Sequence, residues 1–401
     1  MPSLPPRLNT FAEKIYFTGI MSYTITGEHA TAIVYAANVE DICNEQIRET
    51  CNREFLAGEK IRIMPDCHFG KNICIGFTST MSSDWAVPNY IGVDIGCGVA
   101  SHPIGVLHGI DFQQFDKQVR RSIPSGSNIH RKFDEDRCKD FYSKITKNSM
   151  HLFIEEINEL SKKLKLEFHS KYYVEQSIGT LGGGNHFIAL NRNKDGEVFV
   201  TIHSGSRNFG LKIAEHFQRK VGEAGYLSGE LYSDYIYAMS LAQKYAEFNR
   251  IKMLCELLRF FDVQFDREKF IESVHNYIDI ENRIIRKGAI SAQNGELCLI
   301  PINMADGTLL CRGKGNPDWN CSAPHGAGRV FGRNQAFKEL SLEEYKEKME
   351  ASCVWSSCIT KSTLDESPMA YKKYEYLLEF IGSTVDVLDH WAEIYNFKAA
   401  G

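Results

Sequence analysis

The chain has 401 residues, 43% hydrophobic and 24% charged, which is enough apolar material to bury a substantial core. Lys and Arg number 46 against 51 Asp and Glu, a net charge of −5. That balance excludes a protein that coats long nucleic acid through a broad basic face, and it leaves room for a local phosphate pocket.

Residues 1–20 hold three prolines and no apolar run, so they do not read as a signal peptide. No stretch approaches the roughly 20 apolar residues of a membrane span. Twelve cysteines without a CxxC motif suggest a reducing compartment, with most thiols acting as small buried hydrophobes. The expected setting is cytoplasmic.

In chain order, residues 1–20 read as an N-terminal extension and the globular body as 21–401. Strand-like alternation covers 22–26 and 32–36, and helical spacing follows over 40–57 through Ile47, Cys51 and Phe55. From Ile61 to Gly105 short β-type runs are cut by glycines. Helical patterning returns over 148–166, with Phe153, Ile157, Leu160 and Leu164 on one face. The longest helical signal spans 211–261, broken near Gly225–Gly229, with Tyr235, Met239, Ala242 and Ala246 as a core stripe. Further helices are predicted over 342–352 and 367–381. No linker or repeat intervenes, so the reading is a mixed α/β fold, one compact body of β-sheets flanked by helices.

The chemistry concentrates in six glycine-rich segments, and glycine beside a ligand-type residue marks backbone close to a ligand or a turn of positive φ. Met64–Gly70 carries Asp66 and His68, and Gly92–Val99 carries Asp94 and Cys97 at i, i+3. A thiolate and a carboxylate at that spacing suit a metal ion. The same spacing suits a buried Cys beside an Asp that caps a turn. Gly179–Phe187 carries Asn185 and His186, and Thr201–Arg207 carries His203 in Ile-His-Ser-Gly-Ser-Arg. The Asp195-Gly196 turn signal between two apolar runs predicts a hairpin that sets His186 and His203 side by side. Ser-Gly-Ser-Arg207 is phosphate chemistry.

The fifth segment is His275-Asn276-Tyr277, followed by Arg286-Lys287-Gly288-Ala289. The sixth runs from Pro301-Ile302-Asn303-Met304 through Asp306 and Thr308 to Pro324-His325-Gly326-Ala327-Gly328-Arg329. His325 stands before three small residues and an arginine, so a bulky ligand reaches its imidazole while a cation waits nearby. It is the candidate nucleophile for phosphorus. The eight other histidines sit outside these segments and read as ordinary surface or core residues.

In these ordered segments the chain resembles the RtcB family of RNA ligases, over roughly residues 21–401. The match runs through MPDCHFG, GVDIGCG, GTLGGGNHF, IHSGSR, HNY, RKGA and PHGAGR. The resemblance implies an RtcB-like fold and a ligase that joins an RNA 3′-phosphate or 2′,3′-cyclic phosphate end to a 5′-hydroxyl end, using GTP and Mn2+. It implies that Asp94, Cys97, His186, His203 and His275 hold two metal ions, Cys97 as the bridge. His325 would be guanylylated. Asn185, Asn276, Pro301, Ile302, Asn303, Met304, Asp306, Thr308, His325, Gly326, Ala327, Gly328 and Lys398 would surround the GMP. Arg207, Arg286, Lys287 and Arg329 are the candidates for RNA or triphosphate oxygens, and Asp66 and His68 read either as residues that orient a metal ligand or as a purely structural turn. The implied partners are the RNA ends, in tRNA splicing or RNA repair, and an archease-type activator, with no membrane.

The chain departs from the family pattern where a Glu after NHF, three residues past the metal histidine, reads Ala189. Asp306 is the expected substitute for reading guanine. Gly332 and the Asn-Phe-Lys398-Ala-Ala-Gly terminus are further departures, which together suggest a divergent subgroup with a dedicated RNA. Two alternative functions stand beside the ligase: a metal-dependent phosphoesterase that opens cyclic phosphates, and a catalytically silent RNA-end-binding protein.

Overall fold

The computed structural model describes residues 14–17, 20–132, 150–223 and 225–399. Cys138 and residues 1–13 lie outside the described residues. The strands are β1 Lys14–Phe17, β2 Ile20–Thr26, β3 Thr31–Val34, β4 Ile61–His68, β5 Ile75–Thr80, β6 Gly98–Val106, β7 Phe187–Arg192 and β8 Glu197–Ser204. They continue with β9 Ile271–Val274, β10 Asn276–Asp279, β11 Ile284–Lys287, β12 Ala289–Ser291, β13 Leu297–Asn303, β14 Gly307–Gly313, β15 Ser322–Pro324 and β16 Val385–Lys398.

Two seven-stranded sheets form the body. The first has the order β1-β2-β3-β4-β5-β11-β10, and the second β13-β14-β16-β7-β8-β6-β9. Among the described strands only β3 and β4 pair in parallel, and the helix Asp41–Cys51 makes the crossover that a parallel pair requires. The pairing of β1 with β2 carries the first sheet back past residue 21.

The second sheet curls until its edge strands meet, where the Leu299 amide of β13 donates to Ser273 Oγ of β9 at 2.8 Å. Val99, Phe199, Leu299 and Trp391 fill the inside of this nearly closed barrel. The 30-residue helix Gly229–Leu258 packs outside it, where Met253, Leu254, Leu257 and Leu258 are buried against Ala100 and Ile202.

The helical expectations hold at their centres and move at their ends. Tyr235, Met239, Ala242 and Ala246 are all fully buried, and the break near Gly225–Gly229 separates Arg207–Gln218 from Gly229–Leu258. The segments at 148–166 and 342–352 are helical over Met150–Lys163 and Leu342–Ala351, the latter started by a Ser341/Glu344 capping box. Over 40–57 the helix stops at Cys51, and only a 3-10 turn, Glu54–Leu56, follows.

The predicted helix at 367–381 is a correction. Only Tyr374–Ile381 is α-helical; Pro368–Ala370 form a 3-10 turn, and the Lys372 amide donates to Gly328 O at 3.0 Å, which holds residues 371–373 extended against the 325–329 loop.

The chain passes from one sheet to the other at two places. Strand β9 lies in the second sheet and β10 in the first, with His275 alone between them. Strand β11 then leaves the first sheet through Gly288 into the short β12–β15 pair, and β15 delivers His325. The junction of the sheets therefore gathers the histidine-bearing segments.

Strand alternation also corrects one sequence expectation. Arg286 and Lys287 are neighbours on β11, so they point to opposite faces. Arg286 is fully buried, and its guanidinium is bound by Asp279 at 2.8 Å, Tyr277 and Ser322. It serves the fold and is not presented to a phosphate. Arg286→Ala removes the counter-charge of Asp279, which keeps only the Asn282 donors, and we expect a loss of roughly 3 kcal/mol in chemical denaturation. A variant as stable as the parent would contradict that assignment.

Among the described residues no helix is long and apolar enough to cross a membrane. The eleven described cysteines are all free, eight of them buried.

Candidate active site

The site is built from loops whose sequences hold the backbone close. Cys97 N donates to Asp94 O at 3.2 Å, closing the turn that brings the i and i+3 side chains to one side. Gly205 is required there, since a Cβ would fall 2.1 Å from Asp94 Oδ1.

The hairpin expected from Asp195-Gly196 is β7–β8, with Phe187 opposite His203. His186 immediately precedes β7, and its ring lies 5.2 Å from that of His203 between centroids. His275 continues the row at 5.1 Å from His203, and His325 at 4.8 Å from His275. Four imidazoles thus stand in line across the sheet junction.

Backbone carbonyls fix the tautomers. His186 Nδ1 donates to Leu181 O at 2.8 Å, and His203 Nδ1 to Asn185 O at 3.2 Å. In the neutral ring each Nε2 therefore carries its lone pair inward, and His186, when protonated, donates from Nε2 to Asp94 Oδ2 instead. His186 Nε2 lies 3.0 Å from Asp94 Oδ2 and 3.4 Å from Cys97 Sγ, and His203 Nε2 lies 3.3 Å from the same sulfur. Two triads result: Asp94, Cys97 and His186, and Cys97, His203 and His275, each with ligand atoms within 4.8 Å of one another.

The electrostatics suit a divalent cation. Burial raises the Asp94 carboxyl, but the hydrogen bond and charge of His186, with Cys97 and Arg207, outweigh it and hold Asp94 well below the usual range. Burial, reinforced by neighbouring histidines, pushes His203 and His275 well below the ordinary imidazole value, so both rings are neutral and free to offer a lone pair to a metal. Burial and the Asp94 charge push the Cys97 thiol well above its ordinary value. A thiolate at this spot needs a metal to stabilise it. A sulfur, a carboxylate and neutral imidazoles form a donor set for a borderline transition metal.

These segments line a cavity of about 280 Å³, near the lower end for small-molecule sites. Asp94, Cys97, His203, His275 and Lys287 stand on one side. Asn185, Asn276, Pro301, Ile302, Asn303 and Met304 add to its wall, as do His325, Gly326, Ala327, Gly328, Arg329 and Lys398. His186 lies behind Asp94 and Cys97. Lys287 donates to Ile91 O at 2.9 Å, and burial lowers its ammonium to about 8.

Four residues read as ligand-binding are absent from the lining. Arg286 is spent on Asp279, as above. Arg207 donates to Thr180 and to Gly126 O at the back of the His186 loop. The Asp306 carboxylate, expected from the sequence to read the base, turns instead to Asn303 Nδ2 at 2.8 Å and closes its own loop. Thr308 is fully buried in β14.

Asp66 has a different partner from the one expected. Its Oδ2 accepts from His325 Nδ1 at 2.6 Å and from the His325 amide at 3.1 Å. Asp66 orients the candidate nucleophile, not a metal ligand. Gly328 allows the approach, since a Cβ there would meet Asp66 O at 2.4 Å. His68 shares the cavity wall, donates from Nδ1 to Asp66 O at 3.0 Å, and is kept neutral by burial, at about 4.

Sequence reasoning missed a buried ion cluster behind Lys398. Glu366 binds Lys398 at 2.8 Å, Arg333 at 2.9 Å, Arg329 at 3.2 Å and Tyr371 Oη at 2.6 Å. Arg329, Arg333, Tyr371 and Lys398 also line the cavity. Burial raises the Glu366 carboxyl, but Lys398, Arg333 and Arg329 outweigh it and bring it to about 2.

A depressed carboxyl contributes stability above its unfolded value of 4.5, lost as pH falls toward 2. We therefore expect the parent to lose roughly 3 kcal/mol more than Glu366→Gln between pH 5 and pH 2, by denaturant titration. Parallel curves would contradict the pairing.

Comparison with known proteins now decides the family. The family model described as tRNA-splicing ligase RtcB matches residues 46–398. The chain belongs to the RtcB family. It is 29% identical to the RNA-splicing ligase RtcB of Escherichia coli K12, covering 92% of this chain and 97% of that protein. It is 24% identical to the tRNA-splicing ligase RtcB of Pyrobaculum aerophilum, over 79% and 82% of the two chains. The RNA-splicing ligase RtcB of Mycobacterium tuberculosis is 26% identical over 79% and 91%. Membership in RtcB makes this chain an RNA ligase by family, and its Cys97, His203 and His275 cluster agrees with metal use.

Proposed function

We propose that this RtcB protein joins an RNA 3′-phosphate or 2′,3′-cyclic phosphate end to a 5′-hydroxyl end, using GTP, two Mn2+ ions and a guanylylated His325. The observation that carries the reading is the Asp66–His325 pair at 2.6 Å on the wall of a cavity lined by metal-type donors.

The Asp66 carboxylate can only accept, so His325 Nδ1 bears the proton and Nε2 the nucleophilic lone pair. Nε2 attacks the α-phosphorus of GTP, forming an N–P bond as the bond to pyrophosphate breaks. Asp66 keeps its hold on the Nδ1 proton and faces the positive charge the ring acquires. An oxygen of the RNA 3′-phosphate then displaces Nε2 and takes the GMP. The 5′-hydroxyl oxygen attacks that 3′-phosphate, forming the phosphodiester as the bond to GMP breaks and the hydroxyl proton passes to water. A 2′,3′-cyclic phosphate is first opened by addition of water to the 3′-phosphate. Asp94, Cys97 and His186 would hold one ion, and Cys97, His203 and His275 the other. When bound, the metal supplies Lewis-acid stabilisation of charge on phosphoryl oxygens. Lys287 and Arg329, with Arg333, stand on the cavity wall to bind phosphate or RNA oxygens.

The tautomer assignment makes a sharp prediction. An Asn at 66 donates from its amide, forces Nδ1 to accept, and puts the proton on Nε2. We expect Asp66→Asn to slow single-turnover nucleotide attachment by roughly 10²- to 10⁴-fold. An unchanged rate would remove Asp66 from the mechanism.

The function itself is tested with two oligonucleotide pairs, in GTP and manganese. Ligation of the 3′-phosphate and 5′-hydroxyl pair, and not of the 3′-hydroxyl and 5′-phosphate pair, is the expected result. Opening of a cyclic phosphate without joining would favour the phosphoesterase, and no conversion at all the silent binder.

A further inference from the structure

Strands β7 and β16 place three cross-strand pairs on the face toward the cavity: Phe187 with Lys398, Ala189 with Asn396, and Asn191 with Glu393. A bulge between Glu393 and Tyr395 keeps Glu393 on the same face as Asn396 and Lys398. Glu393, Asn396, Lys398 and Phe187 all line the cavity that His325 faces. Glu393 is 5% exposed and Asn396 2%, so both are buried polar groups at the cavity floor.

Buried polar groups normally find partners, and these are under-supplied. Asn396 Nδ2 donates to Glu393 Oε1, while Asn396 Oδ1 and the neighbouring-strand Thr308 Oγ1 have no partner. Burial raises the Glu393 carboxyl to about 8, and Asn396, Lys398 and Asn191 only partly offset it. A carboxylate held there gains from further N–H donors. Opposite Asn396, the β7 side chain ends at the Cβ of Ala189, so at that position nothing from the facing strand fills the space.

We propose that Glu393 is the specificity-determining residue of this site, reading the N1–H and N2 amino edge of a guanine base with Asn396 beside it. This inference rests on the nucleotide-transfer reading of the cavity. A carboxylate complements guanine, which offers two adjacent donors. It rejects adenine, whose N1 is an acceptor. Phe187 and Tyr371 line the same cavity, and the Lys398 ammonium lies 5.3 Å over the Phe187 ring. In this chain the base-reading carboxylate stands on β16, across from the small residue at 189.

Equilibrium binding of GMP, IMP and AMP to the full-length protein tests the assignment by calorimetry, since IMP differs from GMP only in lacking the N2 amino group. The parent should prefer GMP over IMP and AMP by about 10- to 100-fold. Glu393→Gln should bring GMP and IMP within a few fold, and adding Ala189→Glu to it should restore the preference from the facing strand. Thermal unfolding checks that each variant is folded. If Glu393→Gln does not fold, Glu393→Asp, shorter by one methylene, is read in its place.

A folded Glu393 variant that keeps the parent's GMP preference overturns the proposal, as does a parent that binds AMP or IMP as well as GMP. Selective GMP binding without any His325 adduct would support Glu393 and remove the transfer reading. An adduct formed with unchanged selectivity in Glu393→Gln would do the reverse.

Discussion

His325→Ala is expected to abolish covalent attachment of GMP, with the labelled band falling below detection while the protein remains folded. His325 is the imidazole whose Nδ1 is committed to a carboxylate, Asp66 Oδ2 at 2.6 Å, while its ring faces the cavity. The other three histidines of the row are placed to hold metal, two of them with Nδ1 on backbone carbonyls. Its side chain is 17% exposed, against 7% for His186, so a phosphate can reach it. The small residues Gly326 and Ala327 leave the approach clear. Removal of His325 takes away the proposed nucleophile and none of the candidate metal donors. Persistence of the band in His325→Ala would move the nucleophile elsewhere.

Cys97→Ala carries the second large effect. Cys97 belongs to both triads, so its loss weakens both at once. The sulfur stands 3.3–3.4 Å from two Nε2 atoms, and the turn that presents it also presents Asp94. We expect manganese affinity to fall by at least about 100-fold, more than the loss of a supporting hydrogen bond costs a metal site, and nucleotide attachment to fall with it. Metal content by mass spectrometry separates the two readouts. By contrast, His275→Ala should spare the Asp94–Cys97–His186 triad and lose metal from one set only. Equal manganese retention in Cys97→Ala and the parent would contradict the shared-ligand arrangement.

Much of this site can be read from the sequence, for reasons particular to each element. The Asp195-Gly196 turn between two apolar runs sets the register of β7 and β8, and with it the spacing of His186 and His203. Asp94 and Cys97 sit at i, i+3 around glycines, so local geometry alone brings them together. The long helix is legible because its stripe is buried at helical period.

What local pattern does not carry is the long-range pairing. Asp66 and His325 are 259 residues apart, and only the packing of β4 against β15 joins them. The Arg286-Lys287 pair looks like a phosphate clamp in sequence, yet β11 separates the two side chains to opposite faces. Asp306 follows a turn that resembles a ligand loop, but its carboxylate serves Asn303. Glu366 and Glu393 lie in segments with no motif, and they matter because the C-terminal strand β16 runs through the middle of the second sheet.

The most direct test of the account is the mass of the adduct formed when the protein is incubated with GTP and manganese, mapped by peptide fragmentation. The account predicts one GMP on the imidazole of His325, acid-labile and base-stable. A GMP on any other residue, or none on a folded protein loaded with manganese, would contradict it.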